Sequence, residues 1–239
     1  MIDAYFEKNL AVLTAIQDTQ KSRMAQAAQM AARTIQNDGI IYIFGCGHSH
    51  LIALDNFYRA GGLCNVCPIL DADLMLNDGA AKSSKMEKMQ GLAENVLDRY
   101  CLTEKDCLFV ISTSGKNAVP VEMAQAAKSR GIPTASVVSG AYFDDPSPLP
   151  KLYQCTDIYI DNCVPHGDAV METPGCDTRM GSLSTVASAF IMQSVLLEAA
   201  TQAAKAGAKP PIYKSGNVPG GAEFNKELIR RYMPRIKHL

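Results

Sequence analysis

The chain has 239 residues, 47% of them hydrophobic, and its 23 basic and 24 acidic side chains leave a formal net charge of −1. This length and apolar content suffice for a sizeable core, and so small a net charge creates no field that would favour nucleic acid or a membrane as a partner. Asp3, Glu7 and Lys8 interrupt the apolar stretch that a signal peptide needs, so we expect a cytoplasmic protein with reduced thiols.

A long helix is predicted at the start of the chain. Apolar residues recur at helical spacing through residues 1–37, and Asn37-Asp38-Gly39 is a typical stop. Five short apolar runs with strand character follow, at 40–44, 65–70, 107–111, 133–138 and 157–161. Further helices are predicted at about 50–60, 86–99, 118–129 and 182–205. Alternating helices and continuous apolar strands indicate an α/β protein with a parallel sheet covered on both faces.

The last predicted helix of this unit, 182–205, is apolar on nearly all faces. Such a helix must be buried, and a subunit interface is a natural place for it, so we expect a homodimer or a dimer of dimers. We expect residues 1–205 to form one domain and 206–239 a tail. The tail contains a Gly- and Pro-rich stretch, 210–225, and then a basic segment, 226–237, for which a solvated helix face is favoured over a nucleic-acid contact.

Two polar turns follow buried strands, and they carry the functional prediction. The first strand leads into Gly45-Cys46-Gly47-His48-Ser49-His50, and the third leads into Ser112-Thr113-Ser114-Gly115-Lys116-Asn117. Hydroxyl groups and free backbone N–H groups at the start of a helix bind oxyanions. Ligands of parallel sheets bind beyond the carboxyl ends of the strands, where both turns lie. The two turns together therefore indicate a phosphorylated small molecule, whereas a plain helix cap needs only one hydroxyl.

Other ligand classes fit the residues less well. His50 occupies the third glycine position of a dinucleotide fingerprint, where a small residue is needed, and the Walker pattern is absent. Cys64 and Cys67 have the spacing of a zinc knuckle without a matching second pair, so we expect core thiols, no metal and no cofactor.

The two turns resemble the motifs of the sugar isomerase (SIS) domain. The matching residues are Gly45, Gly47 and Ser49 in the first turn, and Ser112, Ser114, Gly115 and Asn117 in the second. Asn117 departs from the usual Ser or Thr but keeps a hydrogen-bonding side chain. The chain is most similar to stand-alone SIS proteins, which share the long N-terminal helix and the stretches Gly167-Asp168-Ala169 and Gly181-Ser182-Leu183-Ser184-Thr185. These proteins are distantly similar to N-acetylmuramic acid 6-phosphate etherase and phosphoheptose isomerase.

The resemblance implies a flavodoxin-like three-layer sandwich with a five-stranded parallel sheet, a dimer, and a phosphosugar ligand. It implies that Ser112, Ser114 and Asn117 hold the phosphate together with the backbone N–H of Thr113. Gly47 and Ser49 would bind a phosphate or sugar oxygen at the first turn, and Ser184 is a further substrate-binding candidate.

The acid–base residue has several candidates. SIS-type etherases carry a proton-transferring glutamate in a Glu-x-x-x-Gly-x-Ala pattern, which Glu87 matches here, although their second glutamate is missing. A solvated carboxylate at a helix start is the alternative for Glu87. His48 and His50 flank Ser49, and only one of them is expected to face the ligand; a shared metal would need a third ligand that is not marked. His166 is a fourth candidate, with a loop hydrogen bond as the alternative.

The Gly- and Pro-rich stretch of the tail adds a further hypothesis. Asn217 and Asn225 would contact the sugar if this stretch lay across the site of its own or the partner subunit, and a flexible linker is the alternative. The expected activity is proton transfer next to a sugar carbonyl, as in an isomerase or a related lyase. A non-catalytic phosphosugar sensor is the second hypothesis.

Overall fold

The computed structural model describes all of residues 1–239. The strands are β1 Ile41–Gly45, β2 Val66–Ile69, β3 Cys107–Ile111, β4 Thr134–Val138, β5 Ile158–Asp161, β6 Ala169–Met171 and β7 Met180–Ser182. The helices are α1 Ile2–Gln36, α2 His50–Asn56, α3 Ala80–Met86, α4 Leu92–Leu97, α5 Ala118–Ser129, α6 Leu152–Cys155, α7 Ser184–Lys205 and α8 Gly221–Tyr232.

The first five strands form one parallel sheet in the order β2-β1-β3-β4-β5. The chain builds the sheet outward on one side from β1 to β2, then returns to the other side of β1 with β3. This order confirms the predicted α/β, flavodoxin-like fold. It also creates a topological switch point between the carboxyl ends of β1 and β3.

Helices cover both faces of the sheet, so alternate residues of each strand enter two different cores. Ile41 and Ile43 of β1 face a cluster built with α1, α2 and α7. Tyr42 and Phe44 face a second cluster built with α4, α5, α6 and α8. Because both sides of every β1 residue are buried, the strand appears in the sequence as a continuous apolar run rather than an alternating one.

One side of α7 lies in the core against α1, but the helix is not enclosed on all faces. Val186, Phe190 and Leu197 remain 44%, 38% and 72% exposed. Leu51 and Leu54 of the neighbouring α2 are also exposed, at 39% and 37%. By length and composition alone α7 is the one helix of this structure that could cross a membrane. In this fold it is instead a core helix with an apolar outer stripe.

Several predicted boundaries were wrong for local reasons. The helix predicted at 50–60 ends at Asn56, just before Tyr58 adopts a positive φ of 49°. The helix predicted at 86–99 is two short helices, because Gly91 before α4 adopts a φ of 81°. The β6–β7 hairpin was not predicted, and α8 begins inside the stretch that was considered too rich in Gly and Pro for regular structure.

The tail is tied to the amino ends of the sheet strands. Nη2 of Arg235 lies 2.7 Å from Oδ2 of Asp106, whose side chain is fully buried and also accepts the backbone N–H of Ile40. The Tyr232 hydroxyl donates a hydrogen bond of 2.8 Å to Oδ1 of Asp38. Arg235 therefore serves as an internal partner, whereas the other basic residues of this segment lie on an exposed face: Lys226, Arg230, Arg231 and Lys237.

Candidate functional site

The two polar turns lie side by side at the switch point. Gly45, the last residue of β1, is paired in register with Ile111, the last residue of β3. Each strand then turns directly into the start of a helix, α2 after β1 and α5 after β3. The sheet order therefore places the two predicted oxyanion turns on one short edge.

The first turn is shaped by glycine. A Cβ atom on Gly45 would lie 2.6 Å from the backbone carbonyl of Ser49, so only glycine allows the chain to fold back this tightly. Gly47 adopts a positive φ of 54° and opens a 3-10 turn over Gly47–Ser49. This turn presents its polar groups over the end of the sheet.

The two histidines of this turn point to different environments. His48 is exposed and lines the cleft together with Ser49. His50 is buried, and its Nδ1 is hydrogen-bonded to the Gly47 carbonyl. His48 is thus the one positioned to reach a ligand, whereas His50 holds the turn.

The second turn leaves the start of α5 open. Oγ of Ser112 accepts a hydrogen bond from the N–H of Gly115 at 3.3 Å, and Gly115 has a φ of 58°. Asn117 is the N-cap of α5, but its side chain makes no capping hydrogen bond, and the first turn of the helix carries no acidic residue. In the first turn of α5, Pro120 has no N–H group and the N–H of Val119 is bonded to the Glu87 carbonyl. The N–H of Ala118 is therefore the backbone donor left for an anion.

The start of α7 also lies at this edge of the sheet, beside the two turns. A cavity of about 20 Å³ lies between the turns and this helix, which is enough for one water molecule. Its lining is mostly hydroxyl groups and is made by His48, Ser49, Ile52, Ile111, Thr113, Ser184, Thr185 and Ser188. Residues more than 130 positions apart in the sequence thus form one polar surface around this cavity.

Asp168 fixes the start of α7. Its Oδ1 accepts the backbone N–H groups of Leu183 and Ser184 at 2.8 and 2.9 Å, and its Oδ2 accepts the Ser184 hydroxyl at 2.6 Å. Asp168 itself adopts a positive φ of 63°. The hydroxyl proton of Ser184 is therefore committed to Asp168, and only its lone pairs remain for a ligand.

Glu87 lies at the end of α3, next to the second turn. Its backbone carbonyl accepts the N–H of Val119 at 3.0 Å. Burial raises the pKa of the Glu87 carboxyl, and a hydrogen bond from the Asn117 side chain opposes part of that rise. Burial, with a smaller contribution from the charge of Glu87, also raises the pKa of the Cys46 thiol. Glu87 is therefore a half-buried carboxyl at the site rather than a solvated one.

His166 belongs to a cluster on the outer side of the second turn. Oδ2 of Asp145 lies 2.7 Å from Nζ of Lys116 and 3.3 Å from Nε2 of His166. The His166 ring stacks on Tyr142 at 4.3 Å between centroids, and its side chain is 60% exposed. These contacts place His166 beside the turn and outside the small cavity.

The structure brings most of the predicted residues together, but not all of them. Gathered at the switch point are Gly47, His48, Ser49, Glu87, Ser112, Thr113, Ser114, Asn117 and Ser184. The Asn225 side chain is occupied by the Lys214 backbone, and Asn217 lies in the same exposed loop. That loop is anchored by Tyr213, whose backbone bonds to Gly61 and Gly62 ahead of β2, so Asn217 does not reach the cleft of its own chain.

Sequence reasoning missed three side chains of this region. Lys116 lies inside the predicted motif, yet its ion pair with Asp145 depends on a loop 29 residues away. Asp168 stands in a stretch that was noted, but no role was assigned to it. The positive φ that places its carboxylate under α7 is not visible in the residue type.

The largest groove of the structure is elsewhere, with a volume of about 650 Å³. It lies at the amino ends of the strands, among residues such as Arg33, Lys105 and Asp157. Two of its acidic groups are paired internally, Asp157 with Lys128 at 3.0 Å and Asp106 with Arg235 at 2.7 Å. Groove volume alone would therefore place the functional site at the amino ends of the strands, away from the edge that carries the polar turns.

Comparison with known proteins gives the same fold. A model of the SIS domain family matches residues 4–139. A UPF0309 protein of Geobacillus kaustophilus is 39% identical over 240 residues, which cover 99% of this chain and 96% of the relative.

Two solved structures share the architecture at low sequence identity. Phosphoheptose isomerase GmhA from Neisseria gonorrhoeae has a TM-score of 0.58 and 15% identity, covering 84% of this chain and 97% of its own. The Vibrio vulnificus NanR protein complexed with ManNAc-6P has a TM-score of 0.54 and 15% identity, covering 98% of this chain and 69% of its own. One of these proteins is named as an enzyme, and the other is described by the sugar phosphate bound to it.

Proposed function

Since this chain belongs to the SIS domain family, we propose that it binds a phosphorylated sugar across the carboxyl ends of β1 and β3. The phosphate occupies the turn from Ser112 to Asn117, and the sugar extends toward Glu87 and the first turn. The observation that carries this proposal is the meeting, at the switch point, of two turns rich in hydroxyl and backbone N–H groups, with no acidic residue in the first turn of α5.

The second turn suits a phosphate dianion because it combines three kinds of donor. The hydroxyls of Ser112 and Ser114 are short and let the ligand approach the backbone. The backbone N–H groups of Thr113 and Ala118 are further donors, and that of Ala118 belongs to the positive end of the α5 dipole. Lys116 adds a cation at the rim, although its ammonium group is already paired with Asp145.

The sugar end suits proton transfer next to a carbonyl group. We propose that the Glu87 carboxylate removes the proton on C2 of an open-chain aldose phosphate, giving an enediolate. Return of this proton to C1, with a proton moving between the two oxygens, gives the ketose. His48 and Ser49 line the small cavity between the two turns, and we propose that they hydrogen-bond to the carbonyl oxygen. A carboxyl whose pKa burial raises is a stronger base than a solvated one, which favours an enzyme.

We further propose that two copies associate through the apolar outer stripe of α7 and α2. Five exposed apolar side chains on two adjacent helices exceed what a solvated surface needs, and a second copy of the same stripe would cover them. Within each copy, residues 1–205 supply the site and 206–239 close the amino ends of the sheet. Such a dimer also leaves room for Asn217 of one copy to approach the other.

A phosphosugar sensor is the second candidate function. NanR, which shares this fold over 98% of the present chain, is described in complex with ManNAc-6P, so the architecture also serves a protein named as a binder of a sugar phosphate. A sensor would need the phosphate turn but not a proton-transfer group.

Ligand binding and isotope exchange separate these functions. A thermal-shift screen of sugar phosphates identifies a ligand, and NMR of that ligand with the protein in D2O follows the hydrogen on C2. The isomerase-type reaction is supported if the unmodified protein incorporates deuterium at C2 and the Glu87→Gln variant does not. Stabilisation without exchange supports the sensor, and no stabilisation by any phosphorylated sugar overturns the ligand class.

A further inference from the structure

We propose that Asp168 restricts the ligand to sugars with a single anionic group, the phosphate, and so favours neutral and amino sugars over acidic ones. This inference rests on the proposed function and names the substrate class of the same site. Asp168 takes no part in the proton transfer. It determines which net charge on the sugar is tolerated at the sugar end of the cleft.

Two helices of more than ten residues, α5 and α7, begin at this edge of the sheet, and their N-termini differ in whether a carboxylate caps them. The start of α5 has no acidic residue in its first turn, and the side chain of its N-cap, Asn117, bonds to Glu87 rather than capping the helix. At the start of α7, Asp168 occupies the position of an anion, with three donors converging on its two oxygens. The protein therefore supplies its own carboxylate to the start of α7 and none to the start of α5.

Asp168 is close enough to the cleft to act on a ligand. Its Oδ2 lies 2.6 Å from Oγ of Ser184, and Ser184 lines the same cavity as His48, Ser49 and Thr113. A ligand group that contacts Ser184 is thus separated from the carboxylate by one hydroxyl. A second anion at this distance is repelled, and a protonated amine is attracted.

The surrounding charges do not cancel this effect. Glu87 is a second carboxyl at the sugar end. Lys116 is at the phosphate end, and Asp145 already pairs with it. His48 is the one basic residue that lines the cavity, and the positive end of α7, to which Asp168 is bonded, offsets only part of the carboxylate charge.

A purely structural cap would not require this charge. Asparagine caps helices about as well as aspartate, and its side-chain oxygen can accept the same two backbone N–H groups. The substitution Asp168→Asn therefore keeps the two backbone hydrogen bonds and removes the charge, while its amide nitrogen donates to the Ser184 oxygen instead of accepting from it. This substitution therefore separates a residue that only caps α7 from one that also selects ligands by their charge.

The test uses two matched pairs of ligands. Sorbitol 6-phosphate and 6-phosphogluconate are both open chains and differ by a carboxylate at C1. Glucose 6-phosphate and glucosamine 6-phosphate differ by an ammonium group at C2. Dissociation constants are measured by calorimetry for the unmodified protein, for Asp168→Asn, and for Glu104→Gln, which removes a charge from an exposed position at the amino end of the sheet.

We expect the unmodified protein and Glu104→Gln to bind the acidic member of the first pair about tenfold or more weakly than the neutral one. In Asp168→Asn this ratio falls by about threefold or more, with the remainder due to Glu87, and any preference for glucosamine 6-phosphate falls with it. Equal binding within both pairs, or ratios that Asp168→Asn leaves unchanged, overturns the inference while the proposed function stands. Failure of every phosphorylated ligand to bind overturns the proposed function as well.

Discussion

The carbonyl oxygen of Glu87 accepts the backbone N–H of Val119 at 3.0 Å, so the candidate acid–base residue is tied to the first turn of α5. The same helix turn forms part of the proposed phosphate site. A ligand phosphate would therefore be held by the element that also fixes Glu87, which keeps the distance between anchor and base constant. This coupling satisfies the requirement of proton-transfer catalysis for a fixed geometry.

Glu87→Gln should abolish exchange without abolishing binding. The amide keeps the size of the side chain and a hydrogen-bonding group for Asn117, but it cannot take up a proton. We expect the rate of deuterium exchange at C2 to fall by about 10²- to 10⁴-fold, with the dissociation constant of the ligand changed little. Exchange at the original rate would remove Glu87 from the mechanism.

The same substitution should stabilise the fold in a pH-dependent manner. Burial raises the pKa of Glu87, so at neutral pH the folded state carries a carboxylate in a less favourable environment than the unfolded state does. This penalty disappears as the pH falls through the raised pKa, because below about 4.3 the group is protonated in both states. Glu87→Gln should therefore raise Tm at pH 8 and leave it nearly unchanged near pH 4. Glu104→Gln is the control, and a Tm difference independent of pH would contradict the burial effect.

Ser114→Ala should weaken ligand binding through loss of one donor to the phosphate. A hydrogen bond to a charged group contributes about 1.5 to 3 kcal/mol, so we expect the dissociation constant to rise by about 10- to 100-fold. The matched control is Ser129→Ala at the other end of α5, where the hydroxyl bonds only to the Ala126 carbonyl. If both variants bind equally well, the phosphate does not occupy the turn.

Gly45→Ala should disrupt the first turn. The added methyl group would lie 2.6 Å from the Ser49 carbonyl, which is backbone and cannot move aside as a flexible side chain would. We expect a loss of about 2 kcal/mol or more in the free energy of unfolding, measured in urea. Gly216→Ala places its methyl group in open space and should change stability by less than about 0.5 kcal/mol. Equal stabilities would mean that the turn adjusts without strain.

Leu197→Glu should weaken the proposed dimer. Leu197 is 72% exposed within one chain, and its burial against a second copy would make a buried glutamate unfavourable. We expect the dimer dissociation constant to rise by about 30-fold or more, measured by analytical ultracentrifugation. Met233→Glu, at a 52% exposed site just after α8, provides the control. A protein that is monomeric before substitution contradicts the proposed dimer outright.

The central part of the fold could be predicted because its signals are local. The strands β1 and β3 are buried on both faces and end in unusual polar turns, so their residues alone indicate a parallel sheet and its ligand edge. What could not be predicted depends on distant partners or on backbone conformation. Whether His48 or His50 faces the cleft is decided by the 3-10 turn at Gly47, and the role of Asp168 is decided by a positive φ.

The tail illustrates the same limit. Glycine and proline around α8 favour an irregular segment, and the basic residues favour a solvated one. Its docking is set by Asp38 and Asp106, which lie 194 and 129 positions earlier in the chain than their partners Tyr232 and Arg235. No property of the tail itself marks these partners.

The pairing of Asp106 with Arg235 also bears on how the protein can be made. On the ribosome, Asp106 emerges 129 residues before the arginine that neutralises it. Until then, a carboxylate that the finished sheet encloses has no cationic partner, and burying it alone is costly. We therefore expect the amino ends of the sheet to complete their packing only when Arg235 can reach Asp106, so that truncation before residue 235 leaves this carboxylate without its cation.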